Sequence, residues 1–158
     1  SKFGFLKKFR QDHSVAAIAF GERFWPKAKF ENDINTFCDN VAEIDAGINS
    51  IDSSSEDAPD ILLDYLDQLD QQFKLLAELS VPDDYSYMEQ LADEASEYMS
   101  TAVSSYHEAY ANHSFNGYTA EYAKENYDRA CKRVTVILEL LQGKEITDSD
   151  VIIETGNE

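Results

Sequence analysis

Seven apolar residues, Phe30, Ile34, Phe37, Val41, Ile44, Ile48 and Ile51, follow one another at intervals of 4, 3, 4, 3, 4 and 3. That spacing is the a/d seam of a helix lying lengthwise on its neighbours, since it keeps a narrow greasy stripe on one side of a rod with about 3.6 residues per turn. The same beat returns three times. It runs through Leu62, Leu66, Leu69, Phe73 and Leu76, then through Met88, Leu91, Ala95, Tyr98, Ala102, Ser105 and Ala109. The last run is Ala123, Tyr127, Ala130, Val134, Ile137 and Leu141.

Helix-breaking signals separate the runs. Ser53, Ser54, Ser55, Glu56 and Asp57 interrupt the first, and Pro59 stands where a first helical turn tolerates proline. Val81-Pro82-Asp83 makes a short connection in which Asp83 or Asp84 is placed to cap the next helix. Residues 112 to 117 close the third run, with Gly117 suited to a left-handed terminus, Thr119 suited to cap the fourth helix and Gly143 suited to stop it. Short loops make successive helices antiparallel neighbours. The expected fold is therefore all-α: an antiparallel up-down-up-down four-helix bundle over residues 25 to 143. A basic, helical or extended segment precedes it at residues 1 to 24, with Phe9, Ala16, Phe20 and Phe24 at helical spacing, and a tail follows at 144 to 158. The tail carries one apolar patch, Val151-Ile152-Ile153.

The heptad register makes a sharper statement. With Ile34 and Tyr127 at a positions, Cys38 and Cys131 both fall at e, at the same end of the first and fourth helices. Two such thiols are expected to be adjacent or joined in a disulfide, with a pair of unconnected core thiols as the alternative. The same register sets Asp45 opposite Lys124, and the flank Leu63, Asp70, Ala77 opposite Ala92, Met99, Tyr106. A disulfide would imply an oxidising compartment, so a place outside the cytoplasm is favoured. Neither Cys lies in a CxxC or beside a His, which argues against a nucleophile.

Charge divides the chain. Residues 1 to 29 carry a net +5, and the remainder carries −23 of the total of −18. An acidic body of this kind repels the phosphates of duplex nucleic acid, which is excluded as a partner. The basic head, with Lys2, Phe3, Phe5, Leu6, Lys7, Lys8, Phe9 and Arg10, has the composition of a segment that contacts anionic lipid, or that neutralises the acidic body. No stretch reaches the roughly 18 to 20 apolar residues of a membrane span. Residues 15 to 20 are too few for the apolar core of an export signal, and no small-residue cleavage site follows them.

Chemistry is sparse. A di-iron bundle needs two Glu-x-x-His pairs, and none of His13, His107 and His113 has Glu three residues before it. Asp93, Glu94 and Glu97, with His107 along the same helix, come nearest to a ligand set and read as a solvated acidic face. The six glycines form no phosphate-binding loop. No catalytic residues, no metal ligands and no cofactor are expected. Tyrosines crowd the third and fourth runs, and Tyr106, His107, Tyr110 and His113 form a candidate interaction strip, with gap-filling beside the alanines as the alternative.

A set of short motifs runs through these helices: Leu79-x-Val81-Pro82, Leu91-Ala92-Asp93-Glu94-Ala95-x-x-Tyr98-Met99, Tyr106-His107-x-Ala109-Tyr110, Tyr127-x-Arg129-Ala130 and Leu141-x-Gly143-Lys144-Glu145. Through them residues 25 to 146 resemble small uncharacterised all-helical proteins of Gram-positive, Clostridia-like bacteria, many of them lipoproteins or otherwise exported. The resemblance implies a helical fold and a place at the cell envelope; it brings no catalytic residues. The cysteines at 38 and 131 are not the lipid-attachment cysteine that a lipoprotein carries near its start. The functional expectation is a non-enzymatic interaction or accessory protein that binds another protein or an envelope component. A peripheral membrane protein is the first alternative, and a carboxylate-rich metal-binding oxidoreductase is the second.

Overall fold

The computed structural model describes residues 4–13, 29–111 and 114–143. Five α-helices occupy them: α1 (Gly4–Asp12), α2 (Lys29–Asn49), α3 (Ala58–Ala77), α4 (Tyr87–Ala109) and α5 (Gly117–Leu141), with a 3-10 turn at Asp83–Tyr85. The four long helices are the four heptad runs, and they pack as the expected all-α up-down-up-down bundle. The apolar patch at residues 151 to 153 and the positions Lys2, Phe3, Ala16, Phe20, Phe24 and His113 lie outside the described residues.

Seams become core where the spacing places them. Phe30, Ile34, Phe37, Val41, Ile44 and Ile48 of α2 are buried, as are Leu62, Leu66, Leu69, Phe73 and Leu76 of α3. Phe37 and Phe73 meet edge to face at 5.3 Å across that interface. Ile51 is buried although it lies beyond the end of α2. A Cβ on Gly47 of α2 would run into the ring of Tyr65 on α3, so the absent side chain admits that ring.

On α4 the buried stripe is wider than a seam and is shifted at one point: Met99 is buried where Tyr98 was expected, and Tyr98 is half-buried. The cause is that α4 packs on α3 and on α5 at once, most extensively on α5, so the flank Ala92, Met99 and Tyr106 also turns inward. The alanines at 95, 102, 109, 123 and 130 line this contact, and small side chains permit close approach of two backbones. Leu141, the last seam residue of α5, is only half-buried.

Three terminal assignments are corrected. Asn116, not Thr119, caps α5: its Oδ1 accepts from the amides of Tyr118 at 3.0 Å and Thr119 at 3.1 Å. Gly117 is the first residue of α5 rather than a left-handed terminator, and among the described glycines only Gly143 has a positive φ, 71°, just past the end of α5. Asp83 and Asp84 form the 3-10 turn, so Ser86 takes the boundary position of α4, with no side-chain cap.

The helix interfaces are not equally close. Packing runs α2 on α3, α3 on α4 and α4 on α5, whereas α2 and α5 have no extensive backbone approach. At one end of the bundle α1 ties these outer helices together. It buries Leu6 and Phe9, and its Arg10 donates from Nη2 to the carbonyls of Ile48 at 2.5 Å and Ile51 at 3.2 Å, beyond the last turn of α2. Lys124 accordingly does not pair with Asp45. It pairs within its own helix with Asp128 at 2.9 Å, while burial alone raises the Asp45 carboxyl above its ordinary range.

Candidate functional site

Beneath α1 lies a buried polar cluster drawn from three helices. His13 directly follows α1, and its backbone amide donates to the Phe9 carbonyl at 2.9 Å. Its Nδ1 lies 3.0 Å from the same carbonyl. A carbonyl only accepts, so this geometry assigns the proton to Nδ1 and leaves Nε2 as an acceptor. Nε2 receives the hydroxyl of Tyr106 from α4. The imidazole also stacks on Phe9, with centroids 4.2 Å apart, and stands edge-on to Tyr127 of α5 at 4.6 Å.

This surrounding is dry. Burial lowers the His13 pKa to about 4, against the upward pull of the Phe9 carbonyl and of Asp128 and Asp12, with Lys124 adding to the depression. Burial also raises the Tyr106 and Tyr127 hydroxyls, and it pushes Tyr110 up to about 12. The Tyr127 hydroxyl is buried without a hydrogen-bond partner, and so is Nε of Arg10. Neutral imidazole and un-ionised phenols are therefore the resting state of the cluster.

The second place is open. A groove of about 520 Å³ runs between α4 and α5, lined by Glu94, Glu97, Tyr98, Thr101, Tyr122 and Asn126. Beside it Arg133 is 2% exposed, and its Nε donates to Glu94 Oε1 at 3.2 Å. The guanidinium of Arg133 also lies 4.8 Å from the Tyr98 ring centroid, with Arg129 at 5.9 Å. Glu97 is exposed. Tyr122 of the groove lining is 53% exposed, Tyr118 in the first turn of α5 93% and Phe115, just before α5, 58%. Tyr118 and Tyr122 are one helical turn apart and share a face.

The residues singled out from the sequence fare differently. Tyr106 is 2% exposed and belongs to the buried cluster, so it is not part of an interaction surface. Tyr110 is half-buried between Phe5 at 5.7 Å and Phe115 at 5.3 Å. His107 is exposed but already engaged, with Nε2 2.6 Å from Asp67 Oδ1 on α3. The gap-filling alternative fits the first two, because the alanines of α4 and α5 leave volume that only rings fill.

No disulfide joins Cys38 and Cys131; Cys38 is buried and Cys131 half-buried. Burial, with the Asp128 carboxylate nearby, pushes the Cys131 thiol up, away from nucleophile chemistry. The basic head is likewise reassigned in part. Leu6 and Phe9 face the core, Phe5 rests on Tyr110 and Arg10 is spent on α2. Of its described residues Lys7, Lys8 and Gln11 are exposed, and Lys8 pairs with Asp12 at 3.2 Å. An apolar face presented to lipid is therefore absent from α1 as docked.

Among the described residues no three His, Cys, Asp or Glu side chains converge into a metal-ligand group, and no helix is long and apolar enough to cross a membrane. The exposed Tyr118–Tyr122 strip escaped the sequence reading, because the heptad beat reports what is buried and carries no signal for an aromatic left outside. Its i, i+4 spacing off the seam was the one available clue. Comparison of the chain with models of protein families, with curated proteins and with solved structures finds no match in any of the three.

Proposed function

We propose that the chain is a non-enzymatic interaction or accessory module that receives a basic segment of a partner protein on the α4–α5 face. The observation that carries this reading is the exposed pair Tyr118 and Tyr122, one turn apart on α5, with Tyr122 lining a groove edged by Glu97. Tyrosine offers contact area and a hydroxyl at low entropic cost, and exposed aromatics beside a concavity are the usual anchors of an interface. The acidic body supplies the long-range attraction for a cationic partner, while Arg133 holds Glu94 in place instead of leaving both carboxylates to a ligand. A place at the cell envelope belongs to the same reading and rests on the resemblance of residues 25 to 146 to exported helical proteins.

The test is a heteronuclear NMR titration of the full chain with a short Lys/Arg-rich peptide at low and moderate salt. The reading expects shifts concentrated at Thr101, Tyr118, Tyr122 and Asn126, and at least tenfold weaker binding in the double variant Tyr118→Ala/Tyr122→Ala. Shifts spread evenly over the acidic surface and indifferent to those tyrosines would overturn it.

A further inference from the structure

An isolated helix of nine residues is not stable in water, so α1 exists as a helix because it is docked. Its fastenings are few. Leu6 and Phe9 enter the core, Arg10 reaches the carbonyls at the end of α2, and His13 joins α1 to Tyr106 of α4. Of these, only the His13 joint depends on a proton. In the docked state Nε2 must be an acceptor, because Nδ1 already donates to the Phe9 carbonyl. A proton arriving at Nε2 would turn the Tyr106 hydroxyl from donor to acceptor. It would also place a cation among the rings of Phe9, Tyr106 and Tyr127.

We propose that His13 is a proton-sensitive latch: neutral, it holds α1 against the α4–α5 end of the bundle, and on protonation it lets α1 swing away. The proposal is independent of what binds the α4–α5 groove.

The charged and titratable groups around the latch are mixed and do not rescue the cation. Asp12 lies on α1 itself, while α4 contributes Tyr106 and Tyr110. From α5 come Glu121, Lys124, Asp128, Tyr127 and Cys131, Glu121 acting on Tyr106, and Asp45 of α2 acts on Tyr127. Asp12 and Asp128 favour the imidazolium, Lys124 opposes it, and loss of hydration outweighs both carboxylates. The linkage has a definite sign. A histidine whose docked pKa of about 4 lies below its free value of 6.5 favours docking above pH 6.5, and that preference is lost as pH falls toward 4. Between about pH 7.5 and about pH 5 the undocking equilibrium of α1 should rise about thirtyfold. Release would uncover Tyr106 and Tyr127 and would take Phe5 off the Tyr110 ring.

The experiment is hydrogen exchange of the full chain at those two pH values, with rates corrected for intrinsic chemistry. It reads the α1 amides against those of α3. The expected result is a loss of α1 protection of about thirtyfold relative to α3, abolished in His13→Gln, whose side chain cannot take a proton. Equal pH dependence in α1 and α3, or an undiminished effect in the variant, overturns the proposal. Should α1 of His13→Gln be unprotected at both pH values, the imidazole titration of the unmodified chain by NMR decides. A strongly depressed midpoint with the proton on Nδ1 supports the latch, and an ordinary midpoint overturns it.

Discussion

The α2–α3 half and the α4–α5 half of the bundle obey the same heptad beat and are built from opposite materials. Between α2 and α3 the seam is Phe, Ile, Val and Leu throughout, and polar contacts such as Asn40 to Gln72 at 3.0 Å stay at the flank. Between α4 and α5 the seam interleaves Ala95, Ala102, Ala109, Ala123 and Ala130 with larger side chains, and the backbones lie against each other over the greatest extent. Volume lost to those alanines is returned by Tyr106, Tyr127 and Met99, and polar residues, Asn126 and Arg133, are buried with them. One half is held by apolar volume alone. The other trades volume for close approach and must then satisfy buried polar groups, so it is there that a titratable cluster and an open groove arise.

The contrast can be broken at several strengths. The largest effect belongs to Phe73→Ala in α3, which should cost about 3–5 kcal/mol in denaturant unfolding, since it removes a fully buried ring from a seam with no small residue to collapse into the gap. In the other half the damaging change is enlargement. Ala130→Leu should cost about 1–3 kcal/mol by prising α4 from α5, and a stabilising result would show that the alanines are not there for close approach.

A finer probe uses one chemical change at two neighbouring hydroxyls. Tyr106→Phe removes the donor to His13 and strands a buried acceptor, for a loss of about 1–3 kcal/mol. Tyr127→Phe removes a buried hydroxyl that has no partner, and should be neutral or stabilising by up to about 1 kcal/mol. Calorimetric melting of the two variants should move the midpoint in opposite directions or, at the least, only for Tyr106. Smallest of all is His107→Ala. Its contact with Asp67 joins α4 to α3 across an exposed flank, and its loss should change stability by under about 0.5 kcal/mol.

Helix number, order and most of the core were legible before any coordinates, because burial on a rod leaves a periodic trace in the chain. Leu66, Phe73, Ala102 and Val134 are each buried where that trace puts them. The stops were legible only where chemistry is local and unambiguous: Gly143 ends α5 as expected, at a positive φ, whereas Gly117, expected to take that conformation, does not, and Thr119 lost the cap to Asn116. Asn116 and Thr119 each carry an oxygen able to cap a helix that starts at its own position, and sequence alone does not rank the two starting points.

What the residues determined unaided is thus the set of four rods and their inward faces, for apolar periodicity is a property of each segment on its own. Contacts between segments far apart in the chain were settled in three dimensions. Asp45 and Lys124 fall at facing register positions of α2 and α5, yet Lys124 pairs with Asp128 of its own helix, and α1 reaches α2 through Arg10 and α4 through His13. Nothing in the spacing of Phe5, Leu6 and Phe9 says whether they face lipid or a groove between helices. That choice depends on the shape of the groove and on Tyr106 and Tyr127 waiting there, which exist only once the bundle has assembled.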